Sequence, residues 1–143
     1  ESVPIYGAML VQSFVAGREL TCGVVETEGK TMALVPTEVI LTKGEMFDYE
    51  AKYTVGGSKE ITPAEIGDEV TKRVQELALR VHTVCGCRDI SRTDMILTDE
   101  GEIVVLEINT IPGMTKTSLI PAQLEASGYS VADFVKGMLE KYQ

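Results

Sequence analysis

The residues best suited to chemistry sit in two short runs, Ser91-Arg-Thr-Asp94 and Glu107-Ile-Asn109, on either side of the polar stretch Thr98-Asp-Glu-Gly101. Asp89 to Leu97 and Glu102 to Asn109 alternate apolar and polar side chains, which predicts two antiparallel strands joined at that stretch. If the turn is a two-residue loop at Glu100-Gly101, paired residue numbers sum to about 201. Asp94 then faces Glu107, Arg92 faces Asn109 and Ile96 faces Val105, while Met95, Leu97, Val104, Leu106 and Ile108 point to the other side. Like charges directly opposite one another destabilise a strand pair by up to about 1 kcal/mol. Spacing alone leaves two readings open. The facing carboxylates belong to a solvated outer face screened by Arg92, or they share a divalent cation. Asp, Glu and Asn supply only hard oxygen ligands, which suits Mg2+ or Mn2+ shared with phosphates better than zinc.

Immediately downstream runs Thr110-Ile-Pro-Gly-Met-Thr-Lys-Thr-Ser118, rich in hydroxyls and containing Pro112 and Gly113. It reads either as a plain connection to the next helix or as a site where the backbone N–H of Gly113 approaches an oxyanion closely. A third distinctive piece, Asp48-Tyr-Glu-Ala-Lys-Tyr53, lies in a stretch from Thr42 to Thr62 with no apolar period. That stretch predicts a long loop, and such loops in compact domains are commonly lids or binding loops.

The elements that must position these residues follow from pattern. Met9 to Val15 and Glu19 to Val25 are rich in β-formers and joined by Ala16-Gly17-Arg18, which predicts a hairpin; Thr31 to Val35 and Glu38 to Leu41 extend it into an antiparallel meander. Thr62 is placed to cap a helix beginning at Pro63, with Ile66, Val70, Val74, Leu77, Ala78 and Val81 on one face and an end near Gly86. Two short helices, Ile120 to Ala126 and Ser130 to about Lys141, close the chain, with Ser130 as N-cap. The fold class expected is α+β, an antiparallel sheet packed with helices.

Composition narrows the function classes. The chain has 143 residues, 44% hydrophobic and 24% charged, enough for one domain or part of a larger one. A net charge of −9 argues against general affinity for nucleic acid or an anionic membrane. No apolar run approaches a membrane span, and the start Glu1-Ser-Val-Pro lacks the pattern of a signal peptide. Cys22, Cys85 and Cys87 are too sparse for a disulfide framework and lack the spacing of a zinc site, so reduced thiols and a cytoplasmic setting are expected.

Taken together, Asp48-Tyr-Glu-Ala-Lys-Tyr53, Ser91-Arg-Thr-Asp94 and Glu107-Ile-Asn-Thr-Ile-Pro-Gly-Met-Thr115 followed by Ser118-Leu119 closely resemble the D-alanine:D-alanine ligases of the ATP-grasp superfamily, across nearly the whole chain. The resemblance implies an ATP-grasp C-terminal subdomain and an ATP-dependent carboxylate-amine ligase forming D-alanyl-D-alanine through an acyl phosphate for peptidoglycan synthesis. It implies that Asp94, Glu107 and Asn109 hold two Mg2+ (or Mn2+) ions on ATP phosphates, with Glu107 bridging both. It assigns Arg92 and the Gly113 N–H to the oxyanion, Ser118 with Leu119 to the second D-alanine's carboxylate, Lys52 to ATP phosphate and Tyr53 to orienting the second substrate. Glu19 would take the ribose hydroxyls, and the strand around Gln12 to Val15 would lie along adenine. Gln12 departs from the Glu that the family often carries there.

Family members are more than twice this length, so the chain reads as a C-terminal fragment, lacking the N-terminal substrate domain and the first half of the ATP-grasp module. Such a fragment is expected to fold but not to ligate, and the full-length enzyme is expected to be a homodimer with no nucleic-acid or membrane partner. Two rivals stand beside this reading. One is a related ligase taking D-lactate or D-serine as second substrate, the lactate type tending to carry His where this chain has Tyr53. The other is a non-catalytic ATP-grasp-like binding domain.

Overall fold

The structure, a computed structural model, describes residues 7–8, 10–27, 29–41 and 58–143. Its sheet is built around β1 (Arg18–Thr27), the longest strand, and has the order β4-β3-β1-β5-β6 with β2 also on β1. β2 (Lys30–Ala33) pairs with Thr27 to Val24, and β3 (Thr37–Leu41) pairs with Glu19 to Thr21 along the same edge of β1. The other edge of β1 is filled by β5 (Ile90–Leu97), which in turn pairs with β6 (Ile103–Asn109). β4 (Ser58–Ile61) closes the far side against β3. All pairings are antiparallel, as expected for the α+β class.

The sheet corrects three expectations from sequence. Residues 10–16 form no strand, so the Met9 to Val15 arm of the expected hairpin is absent from the sheet. β1 has both edges occupied, by β5 on one side and by β2 and β3 on the other, which leaves no ladder for an upstream strand. The expected meander is split, since β3 returns to β1 rather than to β2. Of the stretch read as a long loop, residues 42–57 lie outside the described residues, and Ser58–Ile61 form the charged edge strand β4, which carries no apolar alternation to announce it.

The long helix, α1 (Asp68–Val84), begins later than expected, at N-cap Gly67 rather than Thr62. The hydroxyl of Thr62 is hydrogen-bonded to Thr37 Oγ1 at 2.6 Å, and Ala64 N–H donates to Pro36 O at 2.8 Å. These bonds hold residues 62–66 against the strand side, and Ala64 and Ile66 enter the core from there. The closing helices, α2 (Leu119–Ala126) and α3 (Val131–Lys141), agree with expectation, and Ser130 Oγ accepts from Asp133 N as the N-cap.

Alternation along β1 places helices on both faces of the sheet. Leu20, Cys22 and Val24 look to α1 and form one core with Val74, Ala78, Met95 and Leu97. Val25 looks the other way, into a second core with Leu34, Ile120, Leu124 and Phe134 from α2 and α3. The C-terminal end of α3 is tied back by Lys141, whose ammonium reaches Glu26 at 2.9 Å and Asp89 at 2.6 Å. His82, in the last turn of α1, is fully buried and bonds Ser91 Oγ at 2.7 Å. The thiols are free, with Cys22 buried and Cys85 exposed.

Candidate active site

On the face that carries α2, the strand ladder sets the polar residues of the site side by side. Arg92 is opposite Asn109 and Asp94 is opposite Glu107, as the sequence predicts. β1 adds Thr21 opposite Asp94, and Glu19 lies two residues before Thr21 on the same face, opposite Ile96. Asp94, Glu107, Asn109, Arg92 and Glu19 therefore share one surface.

The register that achieves this differs from the expected one. Met95 pairs with Val105, Ile96 with Val104 and Leu97 with Ile103, so the sum is lower by one near the turn, and a bulge at Leu106 restores it before Glu107. The turn holds three residues rather than two: Thr98 N–H donates to Glu102 O at 2.9 Å, and Gly101, at φ 81°, occupies the left-handed position. Val104 consequently joins Ile96 on the site face, and Val105 turns to the α1 side, the reverse of the reading from sequence.

Asp94 is the hub. Its Oδ1 accepts from Thr21 Oγ1 at 2.6 Å and from Arg92 Nε at 2.9 Å, and its Oδ2 accepts from Arg92 Nη2 at 2.8 Å. The bidentate bond to Asp94 raises the Arg92 pKa above the ordinary arginine value against the opposing effect of burial, with smaller contributions from Glu107 and Glu19. Two of the five N–H donors of Arg92 are committed to Asp94. At the end of β6, Asn109 Oδ1 accepts from Ile111 N–H at 3.0 Å, which fixes the chain's exit into the hydroxyl-rich loop.

That loop folds onto the start of α2. Ser118 Oγ accepts from Thr115 N–H at 3.0 Å and contacts Thr115 Oγ1 at 2.8 Å, and it does not cap the helix it precedes. A β-carbon at Gly113 would lie 2.8 Å from Ser118 Oγ, so glycine is what lets these two residues meet. The first turn of α2 has no side-chain cap and no acidic residue, and Pro121 contributes no N–H. The amides at Leu119 and Ile120 thus form a small positive pole suited to an anion.

Of the remaining candidates, Gln12 is exposed and Val15 half-buried, both off the sheet, so no strand lies where an adenine edge was expected. Lys52 and Tyr53 lie outside the described residues. A cavity of about 850 Å³ between the β1–β2 hairpin and α3, lined in part by Lys30, Tyr129 and Lys136, belongs to the opposite end of β1 and holds none of the candidates. One site residue escaped the reading from sequence: Thr21, which was detectable as the next residue on the face of Glu19.

Known proteins resemble this chain along nearly all of its length. Residues 5–140 match the family model for the D-ala D-ala ligase C-terminus. The D-alanine–D-alanine ligase of Leptospira biflexa is 54% identical over 136 residues, covering 92% of this chain and 38% of that protein. Among solved structures, the VanG D-Ala:D-Ser ligase from Enterococcus faecalis superposes with a TM-score of 0.77 at 36% identity, covering 91% of this chain and 37% of that one. The D-alanine–D-alanine ligase from Bacillus anthracis complexed with ATP superposes at 0.68 with 31% identity, over 89% of this chain and 40% of that one. The chain thus spans about two fifths of the length of the relatives it matches, and on the family match along nearly all of its residues it belongs to the D-alanine–D-alanine ligase family, in the C-terminal part.

Proposed function

We propose that this chain supplies the C-terminal half of the ATP-grasp module in a D-alanine:D-alanine ligase, which couples ATP hydrolysis to D-alanyl-D-alanine formation through an acyl phosphate, for peptidoglycan synthesis. The observation that carries the reading is the ladder placing Asp94 opposite Glu107 and Arg92 opposite Asn109, next to a loop that runs into an uncapped helix start. The full-length ligase, acting on ATP and D-alanine, is proposed to be a cytoplasmic homodimer.

The donor set fits Mg2+ or Mn2+. Asp94 Oδ1 has both lone pairs engaged by Thr21 and Arg92, but Oδ2 accepts a single bond, and Asn109 Oδ1 likewise accepts one, so each retains a lone pair for a cation. Among the described residues no group of three or more Asp, Glu, His or Cys is arranged to hold a metal, which matches ions whose remaining ligands are phosphate oxygens and water. Asp94, Glu107 and Asn109 would hold two such ions. Bound there, the ions would offset charge on the nucleotide's phosphates.

The chain's own residues account for the rest. Thr21 and Arg92 hold Asp94 in a single orientation, so no ordering cost is met when phosphate arrives. The guanidinium of Arg92 and the amide of Gly113 offer donors to the oxyanion that develops as one D-alanine amine attacks the activated carbonyl of the other. Ser118 and the amides from Leu119 onward offer a carboxylate site for the attacking D-alanine. Glu19 is assigned to ribose, Gln12 and Val15 to the adenine side, Lys52 to phosphate and Tyr53 to the second substrate.

The test is made in the full-length enzyme. Asp94→Ala or Glu107→Ala is expected to abolish D-alanine-dependent ADP release while leaving the unfolding midpoint nearly unchanged; undiminished Mg2+-dependent turnover in either variant defeats the assignment. The isolated 143-residue chain is expected to release no phosphate from ATP with D-alanine. A second reading has a specific support: the solved relative that superposes at 0.77 is named a D-Ala:D-Ser ligase, so D-serine is the alternative second substrate. Comparing product formation with D-alanine, D-serine and D-lactate decides between them.

A further inference from the structure

The side-chain amide of Gln123 does the work of a missing strand. Along one edge of β1 the ladder to β3 ends at Thr21 and the ladder to β2 resumes at Val24, which leaves a gap in a fully buried stretch. Into it α2 inserts Gln123, itself fully buried. Its Oε1 accepts from Gly23 N–H at 2.8 Å and its Nε2 donates to Thr21 O at 3.0 Å, the two bonds a neighbouring peptide group would make. Nε2 also donates to Thr37 Oγ1 at 3.1 Å, so the same amide pins β3. Gly23 makes the insertion possible, because a β-carbon there would lie 2.5 Å from Ile120 Cδ1 and 2.7 Å from Gln123 Oε1.

Two consequences meet at Thr21. Its carbonyl is held by Gln123 and its hydroxyl holds Asp94, so a single residue connects α2 to the carboxylate ladder. In the other direction, Gln123 stands five positions after Ser118, on a helix that rises about 1.5 Å per residue, so the helix start lies roughly 7 to 8 Å from the fixed amide. No side-chain cap holds that start in place.

Resting on the ligase reading above, we propose that Gln123 is the positioning residue for the second amino-acid substrate. By completing the β1 edge it sets the height and rotation of α2, and with them the distance from Ser118 and Leu119 to Asp94 and Glu107. Its own atoms touch no reactant. A displacement of the attacking amine by about 1 Å costs on the order of 100-fold, so a small shift of α2 on the sheet is enough to be read in the kinetics.

The experiment uses the full-length ligase. Gln123→Met keeps the length and much of the bulk and removes all three bonds, and Gln123→Glu keeps an acceptor for Gly23 N–H. Both are read by steady-state kinetics with ATP and the second-site D-alanine varied separately, alongside the unfolding midpoint. The expected result is a rise of about tenfold or more in the KM for the second D-alanine with Gln123→Met and a smaller rise with Gln123→Glu, while the KM for ATP stays within about twofold. Ser118→Ala serves as the reference that moves the same constant. If the two KM values stay put or rise together, or if neither variant yields folded protein, Gln123 is structural only and the proposal falls. A wild-type enzyme with no D-alanine-dependent ADP release overturns the ligase reading itself, a separate outcome.

Discussion

Replacing Gly23 by alanine tests the packing of α2 on the sheet, and its cost can be worked from contacts. The added methyl would meet Ile120 Cδ1 at 2.5 Å, Gln123 Oε1 at 2.7 Å and Leu34 Cδ1 at 3.1 Å. The first two distances are impossible for a real β-carbon, and all three atoms belong to fully buried side chains. Overpacking of this kind costs about 1 to 3 kcal/mol. The Oε1 atom must also retreat, which strains or breaks the bond from Gly23 N–H and adds about 1 to 3 kcal/mol for a buried group left unpaired. Against this, alanine loses less backbone entropy than glycine in a strand, a gain of roughly 0.5 to 1 kcal/mol. The net expectation is a destabilisation of about 1 to 5 kcal/mol.

Urea unfolding of wild type and Gly23→Ala, followed by circular dichroism, measures it as a lower midpoint at unchanged slope. Gly101→Ala is the control. Gly101 has φ 81°, and a methyl added there would meet no atom within 4 Å, so only the left-handed backbone resists, at about 1 to 2 kcal/mol. A Gly23→Ala midpoint equal to or above wild type would refute the close approach of α2.

Other expectations follow from the same packing and pairing. Met95→Ala, at a fully buried side chain shared by β5 and the α1 core, is expected to cost about 2 to 5 kcal/mol in the same urea assay, and a loss below 1 kcal/mol would mean that core is not closed. The guanidinium of Arg18, bonded to Glu38 at 2.7 Å through two nitrogens, holds the Glu38 pKa below the ordinary 4.5, so its stabilising contribution is complete above that value and lost as pH falls through the lower folded value. Glu38→Gln should therefore flatten the stability profile only below about pH 4.5, and a flattening confined to neutral pH would contradict the pairing. Burial pushes the Cys22 thiol up to about 12, so a thiol reagent should modify exposed Cys85 rapidly and Cys22 only on unfolding; equal rates in native protein would sink this. Deleting Leu106, the bulge residue, should leave a regular ladder with Glu107 still opposite Asp94, and a change of more than about 1 kcal/mol in the urea midpoint would show that the bulge carries structural weight of its own.

What the sequence made legible was the part governed by period and by residue type. Alternation in β5, the apolar face of α1 from Val70 onward and the Ser130 cap of α3 are local signals and appear where they were read, whereas β6 keeps the expected faces only from Glu107 on. The exceptions trace to partners distant in sequence. Leu10, Val11 and Phe14 have the side chains of a strand, yet they are about four-fifths exposed, because the edges of β1 are taken by β5 at one side and β2 with β3 at the other. Thr62 has the chemistry of an N-cap, but Thr37 claims its hydroxyl from 25 positions upstream. The role of Gln123 depends on the gap between β2 and β3, and a gap in a ladder has no local signature.

The agreement between expected and observed pairing at Asp94 and Glu107 rests on two departures that cancel. With the three-residue turn, an unbroken ladder would set Leu106 opposite Asp94 and Glu107 opposite Thr93, whose side chain is fully buried on the α1 face. A carboxylate directed there would lose its hydration with no compensating charge, a cost of several kcal/mol. Bulging Leu106 instead leaves an apolar side chain half exposed and returns Glu107 to the face of Arg92. The penalty for burying the charge is the larger of the two, so it selects the bulge. The same choice that keeps Glu107 out of the core brings it level with Asp94, and bulges of this kind tend to lie beside active sites because they re-aim a side chain without moving its strand.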